Sequence, residues 1–376
     1  MSTTSVSNFD IVFDPVSLGG LRVPNRIVMA PMTRRQSPGG VPDRDVARYY
    51  AKRAEGGAGF IITEGTYVDH PVAGGFADVP HFFGREALEG WRRVVDGVHA
   101  AGSVIAAQLW HLGNVRQRGT PPHAELPGIG PERVVKDGVV AVEALTDADA
   151  RDIAASFARA AYDAVEAGFD AVELHGAHGY LLDQFLWAKM NTRTDAYGGS
   201  LENRLRLSVE VAEAVRAAVG PNIPLIFRFS QWKVQDYTGF IVESSAELKT
   251  MLDVLVTAGV DIFDVSTRRF WEPAFASEGD ADLASLVREL SGKPVIMVGS
   301  VGIDSAFSAA QVRGAEGLVV GIENLDRAVA RVEAGHADCI ALGRALLADP
   351  EWPAKVRTGE FDRIVPYRKD MFSTLT

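Results

Sequence analysis

Cysteine is almost missing from this chain: Cys339 stands alone among 376 residues. That excludes a disulfide framework, a cysteine-based zinc site and an iron–sulfur ligand set, and it fits a reducing compartment. No apolar run is long enough to span a bilayer, and the opening MSTTSVSNFDIVFDP lacks the basic start and apolar core of a secretory leader. The expected location is therefore cytoplasmic. Basic charge is in deficit, with 38 Lys and Arg against 49 Asp and Glu and a net charge of −11. This argues against nucleic acid or an anionic membrane as the main partner, while leaving room for a local basic pocket that takes a phosphate. Linkers and short-period repeats are also lacking, so one domain over residues 1–376 is expected.

What is present is alternation. Eight short apolar runs recur: RIVMAP from Arg26, GFIITEG from Gly59, SVIAAQLW from Ser103, DAVELHG from Asp170, PLIFRFS from Pro224, DIFDVS from Asp261, PVIMVGS from Pro294 and CIALGR from Cys339. Runs apolar at nearly every residue suit parallel strands covered on both faces. Between them lie segments of helical period, with capping-box signals at Thr146/Asp149 and Ser244/Glu247 and a C-cap signal at Gly168. Eight strand–helix units with right-handed crossovers close most simply into an α/β (β/α)8 TIM barrel. A doubly wound open sheet ranks second, because no GxGxxG follows the first strand. Two segments break the rhythm. Phe13–Asn25 carries a hairpin's punctuation at Gly19–Gly20 and is expected to plug the barrel base. Residues 111–145, inserted after the third strand, are expected to form a loop plus a small hairpin turning at Asp137–Gly138.

In a parallel barrel, chemistry sits at the C-terminal strand ends. There the fourth run delivers His175, His178 and Tyr180 within six residues. The fifth carries Arg228 between Phe227 and Phe229, where a cation needs an anionic partner or an acceptor. Gly299-Ser300 and Gly343-Arg344 end the last two runs, and glycine lets backbone N–H groups approach phosphate oxygens. With Gln108 to read a carbonyl/N–H edge and Thr33 to supply a hydroxyl, the set suits a planar ring with carbonyls and ring nitrogens on a phosphorylated chain. FMN fits that description.

The motifs NRIVMAPMT (25–33), FIITEGT (60–66), QLWHLGN (108–114), ELHGAHGYLLDQFL with RTDAYGGSLENR, FRFS (227–230) and ALGRALLADPEW (341–352) run in order along nearly the whole chain. In them the chain resembles the old yellow enzyme family of FMN-dependent ene-reductases. The resemblance implies that Pro31, Met32 and Gly65 line a non-covalently held flavin, that Thr33 bonds its carbonyl edge near N5 and that Gln108 holds the pyrimidine edge. Arg228 would face the N1/O2 side, and Gly299, Ser300, Gly343 and Arg344 would hold the phosphate. His175 and His178 would grip the oxygen of an activating carbonyl or nitro group. Tyr180 would protonate the α-carbon opposite the incoming hydride, after NADPH or NADH has reduced the flavin in the same open site. Substrates implied are enones, enals, maleimides and nitroalkenes, with nitrate esters or nitroaromatics as the alternative. Members of the family often form homodimers.

Some residues depart from the family pattern. One branch has a cysteine where this chain has Thr33, while members with Thr often pair it with Asn where this chain has His178. The substrate-capping aromatic is either Tyr67 or Phe76. Trp110 and Trp271, the latter in RRFWEP at 268–273, join the substrate-lining candidates. Arg116, Arg118, Arg268 and Arg269 are candidates for a 2′-phosphate. The rival from another class is a metal-assisted TIM-barrel hydrolase with His175 and His178 as ligands. Its weakness is the lack of a clear third ligand, with Glu173 expected to alternate away on the strand.

Overall fold

The computed structural model describes residues 9–303 and 322–375. Residues 1–8, part of the stretch read for a leader, lie outside the described residues, as do the first two positions of VGIENLDRAVARVEAG. Each of the eight apolar runs is a strand: β1 (Ile27–Met29), β2 (Phe60–Ile62), β3 (Val104–Trp110), β4 (Ala171–His178), β5 (Leu225–Lys233), β6 (Ile262–Ser266), β7 (Val295–Val298) and β8 (Cys339–Leu342). Neighbours pair in parallel from β4 through β8, on to β1, β2 and β3. The ring then closes, because Ala171–Leu174 of β4 pairs with Ala106–Leu109 of β3. An open doubly wound sheet would leave those two strands as edges, so the pairing rules it out. No helix among the described residues is long and apolar enough to cross a membrane.

The helices between strands start and stop where side chains can satisfy their ends. Thr146 Oγ1 accepts from the Asp149 N–H at 3.2 Å while Asp149 Oδ2 accepts from the Thr146 N–H at 2.8 Å, a complete capping box. The Ser244 site is half of one: Ser244 Oγ accepts from the Glu247 N–H, but the Glu247 carboxylate turns to the N–H of Glu243 instead. Gly168 follows the C-cap of Asp147–Glu166 at φ +101°, a conformation that favours glycine.

Strand alternation sorts side chains into two apolar cores. One lies between sheet and helices; the other fills the barrel with Val28, Phe60, Ala106, Ala171, Ile226, Ile262, Ile296 and Cys339. Leu18 and Val23 of the hairpin Val16–Leu18/Leu21–Val23 belong to this inner core and are fully buried. The hairpin thus plugs the barrel from the strands' N-terminal side, and each buried side chain contributes about 1.5–3 kcal/mol. In the insertion, Val134–Lys136 pairs antiparallel with Val139–Ala144 across Asp137 (φ +51°) and Gly138 (φ +76°), the expected hairpin.

Candidate active site

Above the inner apolar core the inward-facing positions turn polar. Register places Gln108 beside Glu173, His175 beside Arg228, and Arg228 beside Asp264. All but His175 belong to a hydrogen-bonded layer. Gln108 Nε2 donates to Glu173 Oε1 at 2.7 Å, and Arg228 Nη1 donates to Asp264 Oδ2 at 2.5 Å. Glu173 Oε2 and Asp264 Oδ1 are buried without a donor among the described residues, and the two carboxyls interact with each other. Burial, and for Glu173 also the neighbouring Asp264, push both carboxyls above their usual range. Glu173 therefore does not alternate away from the histidines. It lies two residues before His175 on the same inward face, as the period of two requires.

On this floor stands a cleft of about 290 Å³, walled by the C-terminal ends of seven of the eight strands, the loops that follow them and the C-terminal segment. Thr33, Pro31 and Met32 come from the turn after β1, Gln108 and Trp110 from β3, and Arg228 from β5. His175, His178 and Tyr180 line it together. Ring centroids lie 5.2 Å apart for His175–His178 and for His175–Tyr180, and Trp110 meets Tyr180 edge-on at 4.8 Å. Gly299, Ser300, Gly343 and Arg344 converge from β7 and β8. Gly299 is obligatory there, since a Cβ would sit 2.2 Å from Thr267 Oγ1. Ser300 holds φ +59° and donates through Oγ to the Arg268 carbonyl at 2.9 Å. Gly65 borders the floor rather than the cleft: a Cβ would strike the Trp110 ring at 2.8 Å and come within 3.2 Å of Gln108 Oε1.

The turn bearing the histidines and tyrosine is pinned from beneath. His178 takes φ +65°, its N–H donates to Ser230 Oγ at 3.0 Å, and Val234 N–H donates to its carbonyl at 3.3 Å. The Gly179 N–H donates to Asp183 Oδ2 at 2.5 Å, and Asp183 in turn pairs with Lys233 Nζ at 2.6 Å, both side chains fully buried. Burial, reinforced by Arg228 and for His178 first by His175, holds both imidazoles well below their usual range, so both are neutral. Burial raises the Tyr180 phenol to about 12, which keeps its proton on at neutral pH.

Several expectations are corrected. Tyr67 does not cap the cleft; it is buried and stacks on Trp110 at 5.2 Å. Phe76 is exposed beneath the Arg35 guanidinium, and Trp271 packs edge-on against Phe270; neither lines the cleft. The aromatic lining comes instead from Trp232, Tyr367 and Phe372. Of the four arginines offered for a 2′-phosphate, Arg116 is buried and its guanidinium donates to the carbonyls of Gly74, Thr120 and His123. Arg118 donates to the Val140 carbonyl and Arg269 pairs with Glu272. Arg268 is the one at the cleft wall, stacked 4.4 Å over Tyr237. Asp264 and Ser266 were missed, although Asp264 between Phe263 and Val265 carries the same signal that singled out Arg228. Among the described residues no three His, Cys, Asp or Glu side chains group to hold a metal ion.

Residues 11–322 match the NADH:flavin oxidoreductase / NADH oxidase family. The chain is 33% identical over 356 residues to 12-oxophytodienoate reductase 2 of Arabidopsis thaliana, covering 91% of this chain and 87% of that one. It is 31% identical over 385 residues to flavin oxidoreductase hxnT of Emericella nidulans, covering 96% and 95%. Among solved structures it is similar to morphinone reductase in complex with tetrahydroNAD (TM-score 0.78, 30% identity, 96% and 93% covered) and to old yellow enzyme from Pichia sp. (TM-score 0.79, 27% identity, 96% and 90% covered). A closed barrel, a cleft at its strand ends and a match over most of the chain agree: this enzyme belongs to the old yellow enzyme family of flavin oxidoreductases.

Proposed function

We propose that the protein is a single-domain, FMN-dependent NAD(P)H oxidoreductase that reduces C=C bonds activated by a carbonyl or nitro group. The observation that carries this is that His175, His178 and Tyr180 line one cleft together with Gln108, Thr33 and Arg228. The residues fit FMN. Gln108 spends its amide N–H on Glu173, which leaves Oε1 to accept a ring N–H. Arg228 Nε is buried without a partner among the described residues, and a cation there favours negative charge at the N1/O2 edge. Gly299, Ser300, Gly343 and Arg344 offer backbone N–H groups and a guanidinium to the phosphate. Binding is non-covalent, since the one thiol, Cys339, lies in the inner core below the cleft.

Bound FMN would supply hydride chemistry, carrying reducing equivalents from NADPH or NADH to the alkene. The neutral rings of His175 and His178 donate N–H bonds to the activating oxygen, which draws electron density from the C=C bond. Tyr180, which keeps its proton at neutral pH, delivers it to the α-carbon. Trp110 and Trp232 flank the substrate and exclude water.

The test is an absorption spectrum of the purified protein, followed by anaerobic titration with NADH and with NADPH and then with cyclohexenone. Flavin bands bleached by a nicotinamide and restored by the enone are expected. A colourless protein carrying stoichiometric zinc, or a flavin that neither nicotinamide bleaches, overturns the reading.

A further inference from the structure

Ser266, at the end of β6, touches both halves of the site. Its Oγ lies 2.8 Å from His178 Nε2 and 3.4 Å from Arg228 Nη2, and the residue is buried. We propose that Ser266 is a positioning residue that fixes the tautomer of His178, so that the ring presents Nδ1–H to the substrate oxygen. This rests on the reading of His178 as part of the oxygen clamp.

A guanidinium has donors only, so between Arg228 and Ser266 the serine oxygen must accept. The serine has one hydrogen left to place. If His178 carried its proton on Nε2, that N–H would also point at Oγ, and the buried hydroxyl hydrogen would have no other acceptor among the described residues. Placing the hydroxyl hydrogen toward Nε2 satisfies all three groups at once. His178 is neutral, because burial and the surrounding His175, Arg228 and Lys233 disfavour an imidazolium. Its single ring proton therefore sits on Nδ1, the nitrogen with no hydrogen-bond partner among the described residues. The ring cannot swing to exchange its nitrogens cheaply. Its backbone is tied to Ser230 and Val234, and the Trp232 ring packs against it at 4.6 Å.

The consequence is a directed line of donors, Arg228 to Ser266 to His178, with the cation at its head. Such a chain polarises each bond along it and strengthens the last donor, Nδ1–H. It also ties the cation on the pyrimidine side to the clamp that holds the substrate oxygen.

The test uses FMN-loaded, oxidised protein labelled with ¹⁵N in the histidine rings, with His178→Gln to assign the signals. In the wild type, Nδ1 of His178 should show the protonated shift and Nε2 the shift of an acceptor. Ser266→Ala should move both toward a tautomer mixture and weaken cyclohexenone binding to the oxidised holoenzyme by up to about tenfold, the weight of one hydrogen bond. Ser266→Thr, which keeps the hydroxyl, should restore both. A wild-type His178 protonated on Nε2, or nitrogen shifts that Ser266→Ala leaves unmoved, overturns the proposal. Should Ser266→Ala fail to fold, the wild-type and Ser266→Thr spectra still decide. A wild type whose reduced flavin no enone reoxidises sinks the functional reading, while the tautomer stands or falls on the nitrogen shifts alone.

Discussion

Replacing Lys233 with Met removes one half of the ion pair beneath the Tyr180 turn while nearly preserving its volume. Lys233 Nζ and Asp183 Oδ1 are 2.6 Å apart, both side chains are fully buried, and Asp183 also accepts the Gly179 N–H. Without the ammonium the carboxylate is left in a low-dielectric interior with a single backbone donor. Breaking a buried pair on one side costs roughly 3–5 kcal/mol. The cost depends on pH. Burial already raises Asp183 to about 6 even with Lys233 beside it, and without Lys233 it rises further. A carboxyl whose folded-state pKa exceeds its unfolded value near 3.9 stabilises below that value and loses the contribution as pH rises through the folded one. The deficit of Lys233→Met should therefore be small near pH 4 and reach its full size at pH 8. At about 1.3 °C per kcal/mol for a chain of this size, the melting temperature should fall by roughly 4–6 °C at pH 8. Thermal unfolding followed by far-ultraviolet circular dichroism at both pH values measures it. The double variant Asp183→Leu with Lys233→Met should recover most of the loss, since neither charge then needs a partner. A deficit equal at pH 4 and pH 8, or below about 1 kcal/mol at pH 8, would refute the uncompensated carboxylate as its cause.

Other outcomes follow from the same geometry. Tyr180→Phe should slow reoxidation of the reduced flavin by cyclohexenone by roughly 10²-fold or more in stopped flow, with a much smaller effect on reduction by nicotinamide, which protonates no carbon. Equal losses in both half-reactions would remove Tyr180 as the proton donor. Glu64 is buried beneath the turn after β1, where it accepts the Arg34 and Arg35 N–H groups, and burial raises it from 4.5 to about 7. Its contribution to stability is present below pH 4.5 and lost as pH rises through 7, about 3 kcal/mol in all. Glu64→Gln should flatten the denaturation profile across that window, and an unchanged profile speaks against the shift. Gly299→Ala forces a Cβ against Thr267 and the Phe270 N–H. It should weaken FMN binding by tenfold or more in a flavin fluorescence titration, whereas wild-type affinity would show that this loop does not carry the phosphate.

Much of the site was legible because its residue types are improbable where they stand. A cation between two phenylalanines, or two histidines and a tyrosine at the end of an apolar run, cannot be explained by packing alone. The misreadings have two different causes. The expectation that Glu173 alternates away breaks the strand period, since Glu173 lies two residues before His175 and so shares its inward face. Phe76 sits in a loop whose path no periodicity describes, and Tyr67 in the two-residue strand Thr66–Tyr67 that pairs with β3. Their exclusion from the cleft follows from where these segments fold, one ring stacked behind Trp110 and the other carried out to solvent under Arg35.

By itself the sequence determined the eight strands, their order, the plugging hairpin and the turn carrying His175, His178 and Tyr180. Each of these depends on local pattern, the alternation of apolar runs with helical segments and the punctuation between them. Only the tertiary structure decided which side chains from different strands share a level: Gln108 with Glu173, Arg228 with Asp264, and Ser266 with His178. Those pairings depend on strand register and barrel closure, which bring together residues 36 to 88 positions apart. Hydrogen-bond partners that distant leave no periodic trace along the chain.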